Sequence, residues 1–97
     1  MNKSIQAQGF TLDKDQQELI NKKLERISYA ENLIVDLMVH VKEDKKFFFE
    51  TTLNYRWGGN AHVAADDFDF AAALNKMMDV LDQKVKKDKD KVQEHNK

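Results

Sequence analysis

The stretch "NLIVDLMVHVK" (Asn32–Lys42) decides how this chain folds. From Val35 onward it alternates, with Val35, Leu37, Val39 and Val41 set against Asp36, Met38, His40 and Lys42. A period of two predicts a strand with one buried face and one face open to water. Such a strand needs neighbours, and the flanking sequence supplies them. On the C-terminal side "KEDK" (Lys42–Lys45) turns the chain. "FFFETTLNY" (Phe47–Tyr55) then places Phe47, Phe49, Thr51, Leu53 and Tyr55 on one face. "RWGGN" (Arg56–Asn60) carries a Gly-Gly hairpin signal, and "AHVAA" (Ala61–Ala65) returns as a further strand.

On the N-terminal side "SIQAQ" (Ser4–Gln8) reads as a short strand ending at Gly9. Asp13 with Gln16 three residues on is a capping-box pattern. Leu19, Ile20, Leu24, Ile27 and Ala30 then recur at helical spacing. From Asp67 onward Phe70, Leu74, Met77, Met78, Leu81 and Val85 mark a long amphipathic helix, with "DDFDF" (Asp66–Phe70) as its N-cap. The expected order is β-α-β-β-β-α, an α+β fold with a four-stranded mixed sheet. A right-handed crossover makes the first two strands parallel, and two hairpins make the rest antiparallel. Both helices then lie parallel on one sheet face, burying Leu24, Ile27, Val39, Leu53, Leu74 and Leu81. The other face, with Asp36, His40, Glu50, Thr52, Asn54 and His62, is left polar.

The chain has 97 residues, 41% hydrophobic and 34% charged, which suits one domain with one core. We expect that domain to span residues 1–92, with a short disordered tail at 93–97. There is no cysteine, so thiolate chemistry, disulfides and Cys-based zinc sites are excluded. No run approaches the ~20 apolar residues of a membrane span. The N-terminus lacks the apolar segment of a signal peptide. A soluble, cytoplasmic protein is expected.

With 16 Lys+Arg against 17 Asp+Glu the net charge is −1, so a polyanion partner has to be argued from placement. At ~100° per residue, Lys76, Lys84, Lys87 and Lys91 fall within an arc of roughly 80° beside the apolar stripe of the second helix. Asp79, Asp82 and Asp90 fall on the other side, with Lys86, and Lys89 lies near the stripe's edge. On the first helix Lys22 and Arg26 lie about 40° apart, while Lys23 projects near the middle of the stripe and must snorkel. Two adjacent basic rows are therefore expected, a surface suited to phosphates.

Other chemistry is poorly supplied. His40, Glu50 and His62 share the polar face, but nonadjacent strands lie ~10 Å apart and no further ligand is evident, so no metal site is assigned. No nucleophile elbow, phosphate loop or dinucleotide motif occurs. No catalytic residue, cofactor or small-molecule substrate is expected. Trp57 beside the hairpin glycines is a candidate to stack on a base, or simply to pack.

The ordered set "SIQAQG", "NKKLERI", "ETTLNY", "GGNAHVAADDFD" and "DFAAALNKMMDVLDQKVKKDKDK" (Asp69–Lys91) resembles the ribosome hibernation promoting factors. These are also called sigma-54 modulation proteins or ribosome-associated inhibitors. Family members carry D-x-Y-x-A-I-D-x-x-x-D-K-L followed by a lysine-rich end. Asp69, Ala73, Asp79 and Leu81 match it, and Leu74 stands for the isoleucine. Ala71, Asn75 and Val80 depart from it, and Gln83 stands where relatives often have arginine. Lys76 and Lys84 are the neighbouring candidates to replace the missing cations.

The resemblance implies a non-enzymatic translation inhibitor. It would bind small-subunit ribosomal RNA near the decoding centre, under stress or in stationary phase, and be monomeric off the ribosome. Lys22, Lys23, Arg26, Lys76, Lys84, Lys87, Lys89 and Lys91 would be its RNA contacts. The length points to the short type. Two alternatives are a generic RNA-binding module and a sigma-factor-modulating domain that uses the polar sheet face.

Overall fold

The central hairpin of the sheet is β2 (Ile34–Asp44) paired antiparallel with β3 (Lys46–Tyr55). A computed structural model of the protein describes residues 1–95. β1 (Asn2–Gln8) runs parallel to β2, and β4 (Asn60–Asp67) antiparallel to β3, giving the order β1-β2-β3-β4. Leu37, Val39 and Val41 point into the core as the alternation requires, opposite Leu53, Thr51 and Phe49.

One position differs. The register shifts between Ile34 and Asp36, so Ile34 is buried while Val35 is 38% exposed. A bulge places two residues opposite one and reverses which side chain faces in.

α1 (Lys14–Leu24) starts at Asp13. Its side chain accepts from the Gln16 backbone N–H while the Gln16 side chain accepts from the Asp13 N–H. The α-helix stops earlier than the apolar spacing suggested. A 3-10 helix, Glu25–Leu33, follows it and is kinked at Ile27, where φ is −104° and ψ 16°. Ile27 and Ala30 are still buried. They are three residues apart, the spacing that aligns side chains on a 3-10 helix.

α2 (Phe70–His95) is capped by Asp69, whose carboxylate accepts from the Ala72 N–H at 2.9 Å. At 1.5 Å per residue its 26 residues extend roughly 39 Å, most of the 47 Å long axis of the molecule. Of the tail expected at 93–97, residues 96–97 lie outside the described residues. Among the described residues no helix is long and apolar enough to cross a membrane.

Both helical segments cover one sheet face. Leu24, Ile27, Val39, Leu53, Leu74 and Leu81 are all buried in the shared core. The buried Thr51 hydroxyl donates to Met77 Sδ at 3.1 Å, tying β3 to α2. At one end Phe10, Phe47, Phe70 and Phe49 form a chain of edge-to-face rings. The hairpin Tyr55–Gly59 closes the other end. There Arg56 latches it to the 3-10 helix, its N–H donating to Leu33 O and its Nε to Asn32 O.

Candidate nucleic-acid interface

α2 carries cations on both flanks, and the two flanks meet different neighbours. On the flank facing the first helical layer, Arg26 donates from Nε to Asp82 and from Nη1 to Asp79. Lys86 reaches Asp82 at 3.3 Å, and the Tyr29 hydroxyl donates to Asp82 Oδ1 at 2.6 Å. Asp82 is only 6% exposed, so its charge depends on these donors. Burial pushes its carboxyl up, but Tyr29, Lys86 and Arg26 together outweigh that and hold it below the ordinary 3.8. Burial, then the bond to Asp82, drives the Tyr29 phenol well above its usual 10.0. Lys86 and Lys89 also lie over the Tyr29 ring.

This seam between the helical layers sets Arg26 and Lys86 against Asp79 and Asp82, two charges against two. It is electrically balanced. The two basic rows expected to lie side by side are therefore separated here, because the carboxylates of α2 face Arg26. The α-helical projection also loses its meaning beyond Leu24, since Arg26 sits on the 3-10 segment.

The opposite flank of α2 faces β4 and the hairpin. Lys76 pairs with Asp67 at 2.8 Å, a bond that raises the lysine and lowers the carboxylate from their ordinary values. Lys84 donates to Asp88 Oδ1, whose other oxygen accepts from the Tyr55 hydroxyl at 2.8 Å. Lys91 lines a groove at the hairpin with Trp57 and Asn60. Lys87 and Lys22 are exposed, and Lys23 is half-buried, as its place near the α1 stripe requires. Among the described residues, Lys22, Lys23, Lys87, Lys89 and Lys91 make no ion pair. The exposed members of this set keep most of their field for a partner.

The polar sheet face holds no comparable cluster. His62 Nδ1 shares a hydrogen bond with Thr52 at 2.9 Å. Among the described residues no three His, Asp or Glu side chains converge to hold a metal ion. What the arrangement can do is hold anions along one side of α2, with a compensated seam on the other side.

Residues 4–93 match the family described as sigma 54 modulation protein / S30EA ribosomal protein. The chain belongs to that family. The fold is shared with a ribosomal subunit interface protein from Coxiella burnetii at a TM-score of 0.84 and 22% identity, covering 92% of this chain and 98% of that one. It is shared likewise with the Protein Y N-terminal domain of Thermus thermophilus at 0.80 and 22%, covering 90% and 98%. No curated protein sequence matches the chain.

Within this family fold three residues organise the surface, and sequence reasoning had placed only Asp82 among them, on the flank away from the lysines. Asp82 gathers the seam, Tyr29 closes it, and Asp88 fastens Lys84 to the hairpin through Tyr55. Of the other two, Tyr29 left a signal as an aromatic out of phase with the apolar stripe, and Asp88 one as the i,i+4 partner of Lys84.

Proposed function

We propose that this protein is a ribosome-associated translation inhibitor of the hibernation type, acting by occupancy. Its α2 flank of Lys76, Lys84, Lys87 and Lys91, with Lys22 and Lys23 of α1 and Lys89 at the helix edge, meets phosphates of small-subunit ribosomal RNA. Arg26 instead holds the helical layers in register through Asp79 and Asp82. The observation that carries the reading is the segregation of lysines on the α2 flank in a chain of this family. The likeness to a ribosomal subunit interface protein supports it.

Lys/Arg contacts to phosphates release condensed counterions, so binding weakens steeply with salt. An occupant near the decoding centre excludes mRNA and tRNA without turnover, which suits reversible silencing under stress or in stationary phase. Inhibition of translation in vitro is expected to saturate near one protein per ribosome. Complete inhibition at strongly substoichiometric amounts would require catalysis and overturn the reading. Affinity for free duplex RNA equal to that for ribosomes would point to a generic RNA-binding module instead.

A further inference from the structure

We infer that Trp57, stacked on Tyr55 at the hairpin, is a platform for an unpaired RNA nucleobase whose flanking phosphates are held by Lys87 and Lys91. This rests on the ribosomal RNA reading above and names a contact that the lysine flank alone does not provide.

The indole lies nearly flat against the Tyr55 ring, with centroids 4.2 Å apart and planes 11° apart. One face is covered, and the side chain remains 39% exposed. The local sequence keeps it in that pose. A Cβ at position 59 would stand 2.7 Å from Trp57 Nε1, so the glycine is what lets the ring lie over the turn. Gly58, at φ +91°, takes the left-handed conformation that the turn needs.

Beneath the indole, the Tyr55 hydroxyl donates to Asp88, which also binds Lys84, so the platform is fastened to α2. The platform is thus ordered before any ligand arrives, which removes part of the cost of binding. The adjoining groove, about 320 Å³ and lined by Asn60 and Lys91, lies at the lower end of ligand-sized clefts. Asn60 offers an amide donor and acceptor to a base edge. The surrounding charge favours RNA over an apolar peptide. Lys91 lines the groove, Lys84 is tied to it through Asp88, which is thereby already engaged, and exposed Lys87 lies one helical turn from Lys91. Aromatic faces beside a basic track are how proteins hold single-stranded nucleic acid.

Trp57 is the only tryptophan in the chain, so intrinsic fluorescence reads the platform alone. Emission and acrylamide accessibility would be followed on adding purified small ribosomal subunits, a short single-stranded RNA, and a duplex of the same length. Small subunits and the single strand should quench and protect Trp57, and the duplex should not. Trp57→Ala should bind subunits about 5- to 150-fold more weakly, Trp57→Phe by less, and both should keep the wild-type salt slope. The inference is overturned if the wild type binds subunits with Trp57 unchanged while both variants bind as it does. If the wild type does not bind subunits, the ribosomal reading fails by itself. The single-strand titration then decides the platform, and unquenched emission overturns it.

Discussion

Arg26 and Asp82 lie 56 positions apart in the chain, yet the guanidinium Nε donates to the carboxylate at 3.2 Å. This contact joins the 3-10 helix to α2 and fixes which flank of α2 faces inward. Because Asp79 and Asp82 turn toward Arg26, the lysines at 76, 84, 87 and 91 are left on the far flank. Charge sorting on α2 thus follows from helix packing.

Removing Asp82 should therefore loosen the seam. Asp82→Ala leaves Tyr29, Arg26 and Lys86 without their shared acceptor, and should cost about 1–3 kcal/mol of unfolding free energy. Chemical denaturation checks this. An unchanged midpoint would mean that water replaces the carboxylate without loss.

The same group sets part of the acid limb of stability. Its folded value lies below the ordinary 3.8, so the native state binds its proton less readily than the unfolded chain. The stabilisation is present above 3.8 and is lost as pH falls through the lower folded value. Asp82→Asn should flatten the stability profile in that window. At the alkaline end the phenols of Tyr29 and Tyr55 are raised above 10.0 by burial, then by Asp82 and Asp88. Their contribution holds below pH 10.0 and is lost above it, and Tyr55→Phe should reduce that loss.

The buried hydroxyl of Thr51 makes a separate test of packing. Met77→Leu conserves volume but removes the sulfur acceptor, and should cost about 1–2 kcal/mol. Adding Thr51→Val should recover most of it, because both polar partners are then gone. A double-mutant cycle with no coupling would contradict the bond.

Backbone geometry gives an opposed pair. Gly9 sits at φ +85° and a Cβ there would lie 2.7 Å from Glu43 O, so Gly9→Ala should destabilise by at least about 1 kcal/mol. Lys45, at φ +67° in the β2–β3 turn, is the one described non-glycine residue with positive φ. Lys45→Gly should gain up to about 1 kcal/mol. Thermal melting of the two variants should move in opposite directions.

The strands, the two helical regions and their common face were legible because alternation, a capping box and a Gly-Gly turn each reflect local physics. The bulge was not. Ile34 and Val35 are both β-branched and apolar, and periodicity cannot tell which of two such neighbours faces in. The change to 3-10 geometry after Leu24 was hidden for a similar reason, since Ile27 and Ala30 fit either helix type. At the surface, helical projection put Asp79, Asp82 and Lys86 on one flank and Lys76, Lys84 and Lys91 on the other, as their contacts do. It could not say which flank the 3-10 helix would cover, because that depends on tertiary packing. Asp88 shows the same gap. Only the fold brings it to Tyr55 and so commits Lys84.

That commitment shapes the test of the lysine flank. Lys84→Glu would place a second carboxylate against Asp88 and disturb the hairpin, so Lys87 and Lys91 are the cleaner probes. Neutral glutamine avoids creating new repulsion. The deciding measurement is the salt dependence of binding to purified small ribosomal subunits for the wild type, Lys87→Gln/Lys91→Gln and Lys86→Gln. If phosphates are gripped by the far flank, the double variant should lower the log–log slope by about 1.4–1.8, two contacts' worth. Lys86→Gln, which removes a partner of Asp82 and a cation over the Tyr29 ring, should leave the slope unchanged. Equal changes per lysine removed would show that only total charge matters, and an unchanged slope in the double variant would show that RNA is not held there.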